Sequence, residues 1–146
     1  GCQLVANADL AVTVDTARFA VSGINLGLFC STPSVPLSRA VSRKRAFEML
    51  TTGDFIDAHT AQEYGLVNHV VSADKLDETV DALAKNIASK PADALRAGKA
   101  LFYRQLNMPL AEAYQAAGQV MAGNMLFPDT QEGIDAFIEK RDPNWT

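Results

Sequence analysis

Thr52-Gly53-Asp54-Phe55-Ile56-Asp57-Ala58-His59-Thr60-Ala61-Gln62-Glu63-Tyr64-Gly65-Leu66-Val67-Asn68-His69-Val70-Val71 holds a helix end, a short helix and a strand in one run. Thr51–Asp54 carries the turn residues that end a preceding helix. Asp57 is the N-cap, because its carboxylate can accept from the unpaired N–H groups of a first helical turn. Ala58–Tyr64 then makes about two turns, and Gly65 takes the C′ position, where a left-handed backbone is wanted. Leu66–Val71 is an apolar strand. Elements this short, alternating this quickly, belong to a layered α/β chain.

The chain differs on the two sides of this run. Upstream, Gly1–Ala8 reads as a short helix buried almost all round. Leu10–Val14 reads as a buried strand, with Asp15-Thr16 in the turn after it. Arg18–Val21 and Gly27–Cys30 are short extended pieces around Gly23 and Asn25, and Pro33 and Pro36 close the region. Leu37–Leu50 has helical spacing, interrupted by Arg43-Lys44-Arg45. Downstream of Val71 everything is helix. Ser72 caps Lys75–Ser89, whose stripe is Leu76, Val80, Leu83, Ala84 and Ile87. Pro91, Pro109 and Pro128 each open a further helix, proline being tolerated where the N–H has no partner anyway.

Gly1–Val35 holds little charge, only Asp9, Asp15 and Arg18. Terminal segments normally fray into water, so this stretch reads as interior material of a larger fold. At 146 residues, with 48% hydrophobic residues and a net charge of -4, the chain suits one domain with a real core. Mild acidity argues against nucleic acid as a partner, since a phosphate-binding surface needs a basic excess. No window approaches eighteen consecutive apolar residues, so no membrane-spanning helix is expected. The two cysteines, Cys2 and Cys30, read as small buried hydrophobes of a reducing compartment.

Candidate chemistry is sparse. His59 and His69 are ten apart, on a helix and a strand, and lack the close-spaced companions that zinc needs, so no metal is expected. Cys30-Ser31-Thr32 is either a nucleophile near a turn or a buried cysteine with turn hydroxyls. Arg43-Lys44-Arg45 forms a band round a helix, a solvated face more than a phosphate pocket. Phe137, with Lys140 and Arg141 three and four residues on, falls on one side of the last helix. That spacing gives either a cradle for a nucleotide base and its phosphates, or a core ring with cations at a helix end. Asp9 is a capping or turn acid, or a buried general acid/base.

The ordered motifs resemble the C-terminal half of the enoyl-CoA hydratase/isomerase (crotonase) family over essentially the whole chain. They are Gly1-Cys2-Gln3-Leu4 with Asp9, Ala17-Arg18-Phe19 with Leu26-Gly27, the Thr52–Ala58 run with Ala61, Gly65, Leu66, Val67 and Val70, and finally Gln131-Glu132-Gly133, Ala136-Phe137 and Glu139-Lys140-Arg141. The resemblance implies an α/β crotonase-like fold, a spiral of ββα units whose C-terminal part is 1–72, followed by a helical trimerisation region at 73–146. It implies an acyl-CoA thioester as substrate or ligand and no other cofactor. The implied partners are the N-terminal half of the same domain and further copies in a homo-trimer or hexamer, in the cytoplasm or mitochondrial matrix. It also implies an oxyanion hole with one donor adjacent to Gly1 and the other further upstream, where charge develops on the thioester oxygen. Phe137 and Lys140 match positions that contact coenzyme A. The two glutamates that hydratases of the family use as acid and base match Gln3 and Gly23. A carboxamide cannot act as a base near neutral pH and glycine has no side chain. The implied activities are therefore an enoyl-CoA hydratase (a lyase) with an altered mechanism, an acyl-CoA isomerase or hydrolase using another acid such as Asp9, and a non-catalytic acyl-CoA binder.

Overall fold

A computed structural model describes residues 1–146. The backbone clusters into two units, Gly1–Ala82 and Leu83–Thr146.

In the first unit, α1 (Cys2–Asn7) leads to β1 (Val12–Val14), which pairs in parallel with β4 (His69–Val71), Val12 opposite His69 and Val14 opposite Val71. A second ladder sets β2 (Arg18–Phe19) antiparallel to β3 (Ile56–Asp57). Between them lie a 3-10 turn at Ser22–Leu26, α2 (Ser31–Ala40), α3 (Arg43–Thr52) and, after β3, α4 (Ala58–Glu63). The cap, short helix and glycine of the quoted run fold as read. Asp57 caps α4, its Oδ1 accepting from Thr60 N at 2.7 Å, and Gly65 has φ 81°. The strand is shorter than expected: Leu66 and Val67 are buried in the approach, and only His69–Val71 enters the ladder.

Four upstream expectations are corrected. Gly27–Cys30 is not extended strand, because Leu28 N returns to Gly23 O at 3.0 Å and closes a turn. Pro33 and Pro36 do not close the region but lie inside α2. Pro33 falls in the first turn, where its missing N–H costs nothing, whereas Pro36 removes an interior bond. Burial of Leu37, 1% exposed, holds the helix there. Leu37–Leu50 is accordingly not one helix: Val41 turns extended and Ser42 starts α3. Finally, α1 is not buried all round. Cys2, Val5 and Ala6 pack on the core while Leu4 is 76% exposed.

The core of this unit joins Phe19 and Val21 from the β2 segment to Leu37 and Val41, to Ala46, Met49 and Leu50 of α3, and to Ala61, Leu66 and Val67. At 25 cal/mol per Å² the Phe, Val, Leu and Met side chains among these each contribute about 1.5–3 kcal/mol.

Ser72 precedes a 3-10 turn, and α5 (Leu76–Ala88) follows with Asp77 and Glu78 in its first turn and Lys85 in its last, complementing the helix dipole. The second unit holds α6 (Ala92–Gln105), α7 (Leu110–Asn124) and α8 (Pro128–Glu139), each opened by the expected proline. Its buried residues are Ala113, Ala116, Ala136 and Asp129. Within this unit α6 packs against α7.

Candidate functional site

Gly1 precedes α1, and its carbonyl accepts from Leu4 N at 3.0 Å and Val5 N at 3.1 Å. In this first turn the N–H groups of Cys2 and Gln3, ahead of these, have no carbonyl within the helix to bond. Gln3, one residue into that turn, is exposed, while Cys2 beside it is half-buried against the core. Burial pushes the Cys2 thiol up, and the neighbouring Cys30 thiol adds to the effect.

Gly23 lies in the 3-10 turn, and its N–H donates to Cys30 Sγ at 3.2 Å. A β-carbon on Gly23 would stand 2.7 Å from that sulfur and 2.8 Å from Leu28 O. The direction in which any side chain at position 23 would leave the backbone is thus filled by the Cys30 thiol. Cys30 itself stands at the N-terminus of α2, the helix against which α1 packs. Gln3 and Gly23 accordingly sit on elements that meet around Cys30, which touches Gly23 and lies within electrostatic reach of Gln3's neighbour Cys2. The sequence offers Cys30 as either a nucleophile or a buried cysteine and does not show this contact. The only signal was the glycine itself.

The other candidates are dispersed. Asp15 is in the turn after β1, its N–H donating to Val71 O, and Asp9 is on the exposed side of the α1–β1 connection. His59 on α4 and His69 on β4 are both exposed. Arg43-Lys44-Arg45 occupies the first turn of α3. Arg45 turns onto Tyr64, its guanidinium 4.3 Å from the ring centre and bonded to the hydroxyl at 3.1 Å, which separates it from the other two.

In the second unit, Phe137 is 85% exposed near the end of α8. It borders an open, mostly apolar cavity of about 500 Å³ whose other walls include Pro91, Phe127, Ile134 and Trp145. Phe137, Lys140 and Arg141 were expected on one side of one helix. Instead α8 ends at Glu139, and Lys140 takes a left-handed backbone, φ 55° and ψ 42°. Arg141 is not a free cation. Its guanidinium forms a bidentate pair with Glu132 at 2.6 and 3.0 Å and a further bond to Glu139 at 2.6 Å. Arg141 and the backbone N–H of Asn144 hold the Glu132 carboxyl down at about 2. The cation left near Phe137 in sequence and free of that network is Lys140. Nothing in the sequence marks Glu132 as the partner of Arg141, since a pairing nine residues apart has no helical spacing to betray it.

The sequence pattern of the family described as enoyl-CoA hydratase/isomerase matches residues 1–146. The chain belongs to that family. Among its relatives, the rat (Rattus norvegicus) protein named enoyl-CoA hydratase domain-containing protein 3, mitochondrial, is 51% identical over 146 residues, covering all of this chain and 49% of that protein. The chain thus spans about half the length of the curated relatives it matches. The crystal structure of an enoyl-CoA hydratase from Mycobacterium smegmatis superposes with a TM-score of 0.97 at 56% identity, over 99% of this chain and 56% of that one. The human enoyl-CoA hydratase domain-containing protein 3 structure gives 0.94 at 49% identity, over 99% and 57%. The fold is therefore that of the C-terminal part of a crotonase-like enoyl-CoA hydratase, as the motifs implied. No helix is long and apolar enough to cross a membrane.

Proposed function

We propose that this member of the enoyl-CoA hydratase/isomerase family binds acyl-CoA thioesters and does not add water to them by the paired-glutamate route. Gly23 carries the proposal. By motif alignment it stands where the family places one catalytic glutamate, and the space a side chain needs there holds Cys30 Sγ at 2.7 Å from the β-carbon position. Gln3 stands at the other glutamate position and can hold or orient a water without exchanging its proton. Polarisation of the thioester by an oxyanion hole adjacent to Gly1 remains available to such a protein, since it needs backbone donors only. Phe137 and Lys140 serve the nucleotide end of the thioester. The helical region 73–146 assembles a trimer or hexamer, and the compartment is the mitochondrial matrix or the cytoplasm, the first supported by the names of the relatives.

Hydration of crotonyl-CoA by the full-length protein tests this reading. A missing general acid and base is expected to leave the rate roughly 10²–10⁴-fold below that of an active family hydratase. The Gln3→Glu, Gly23→Glu, Cys30→Ala variant is expected to recover part of that loss, and the same variant retaining Cys30 to recover less. Wild-type turnover within about tenfold of an active hydratase overturns the proposed mechanism. Failure to bind any CoA thioester in calorimetry overturns the reading as a whole.

A further inference from the structure

Lys140 is the one residue other than glycine with a positive φ. Arg141 N donates to Ala136 O at 3.0 Å and Lys140 N to Phe137 O at 3.4 Å, the paired bonds of a helix C-cap whose left-handed residue is usually glycine. A lysine there is strained, because its β-carbon crowds the following carbonyl. Strain of this kind persists only where the surroundings over-determine it.

The surroundings here are carboxylates of α8. Glu132 grips Arg141 with both oxygens and also accepts from Asn144 N at 2.7 Å. Asp129, 8% exposed, accepts from Thr146 N and Thr146 Oγ1, both at 2.9 Å. The tail Arg141–Thr146 is thereby folded back along α8, with Trp145 laid against Gly133. Lys140 is the reversal between the helix and this strap, fixed from both sides.

We infer that Glu132 and Arg141 are positioning residues, a clasp that locks Lys140 in its left-handed conformation and sets its place relative to Phe137 for the nucleotide end of an acyl-CoA. The inference rests on the proposed role of Phe137 and Lys140. Arg141 acts through Lys140 and needs no contact with the ligand. A bidentate, charge-assisted pair suits this work, since it fixes geometry as well as proximity.

Calorimetric titration of the full-length protein with crotonyl-CoA and with crotonyl-pantetheine, the same thioester without its nucleotide, separates the possibilities. Lys140→Gly relieves the strain and is expected to hold or raise the melting temperature while weakening crotonyl-CoA about tenfold. Arg141→Ala and Glu132→Gln are expected to weaken crotonyl-CoA by a similar factor and leave crotonyl-pantetheine unchanged. Arg141→Lys should rescue only part, having one point of attachment. In the Lys140→Gly background, Arg141→Ala is expected to add no further loss. If Lys140→Gly leaves crotonyl-CoA binding unchanged, the assigned role of Lys140 falls and the clasp with it. If Lys140→Gly weakens binding but Arg141→Ala does not, or weakens both ligands equally, the role of Lys140 stands and the positioning inference is overturned.

Discussion

At Gly23 the absence of a side chain is a packing fact before it is a chemical one. The β-carbon position is hemmed by a thiol that can move and by a backbone carbonyl that cannot move without the turn that Leu28 N closes on Gly23 O. Gly23→Ala is therefore expected to destabilise the full-length protein by about 1–3 kcal/mol, the usual range for overpacking. Cys30→Ala removes the 2.7 Å contact with sulfur but leaves Leu28 O, so the double variant should recover part of the loss and not all. Denaturant midpoints for the two single variants and the double one measure the coupling. Full additivity would show that Cys30 does not limit the space at position 23.

The elements show how much could be read in advance and why the rest could not. Asp57, Gly65, Pro91, Pro109 and Pro128 act locally, each satisfying or sparing a backbone group within one helical turn, and each is legible from its neighbours alone. Pro36 misled because its cost is offset by Leu37, which is buried in a core drawn from segments as far apart in sequence as Phe19 and Val67. The candidate site divides the same way. Gln3 and Gly23 were visible as positions, whereas the Gly23–Cys30 contact depends on a turn and the Glu132–Arg141 pair on a strap, neither of which leaves a periodicity. The Asp57 cap is the local device most open to test. Its bond from Thr60 N holds the carboxyl below its ordinary value. A depressed native value means stability that is present above the unfolded-state pKa and is lost as pH falls through the native one. Asp57→Ala is expected to lower the melting temperature by roughly 2–4 °C at neutral pH, with the gap to wild type closing on acidification below pH ~4. Asp57→Asn should retain most of the cap and flatten that dependence. A wild-type-to-Ala gap that grows towards acid would exclude the cap as its source.

Across the chain, the balance of apolar surface points to partners. Fourteen apolar residues are buried, six of them alanines, against 22 large apolar side chains that are exposed. In the first unit Leu4, Leu26 and Leu28 are bare, and in the second Tyr114, Leu126, Phe137 and Ile138. A monomeric soluble protein rarely leaves such surface uncovered, because each exposed Leu or Phe forgoes about 1.5–3 kcal/mol of burial. The second unit is the sharper case, as the only apolar residues it buries are Ala113, Ala116 and Ala136. Residues 1–146 purified alone are accordingly expected to self-associate and to bind an apolar dye. The full-length protein is expected to sediment as a trimer or hexamer that binds little dye, its apolar helical face covered by other copies. Substituting Tyr114 and Leu126 with lysine should shift that species towards monomer without lowering the helical content measured by circular dichroism. A full-length protein that sediments as a monomer in its wild-type form would mean that this surface is covered from within one chain, and the oligomeric reading of 73–146 would have to be given up.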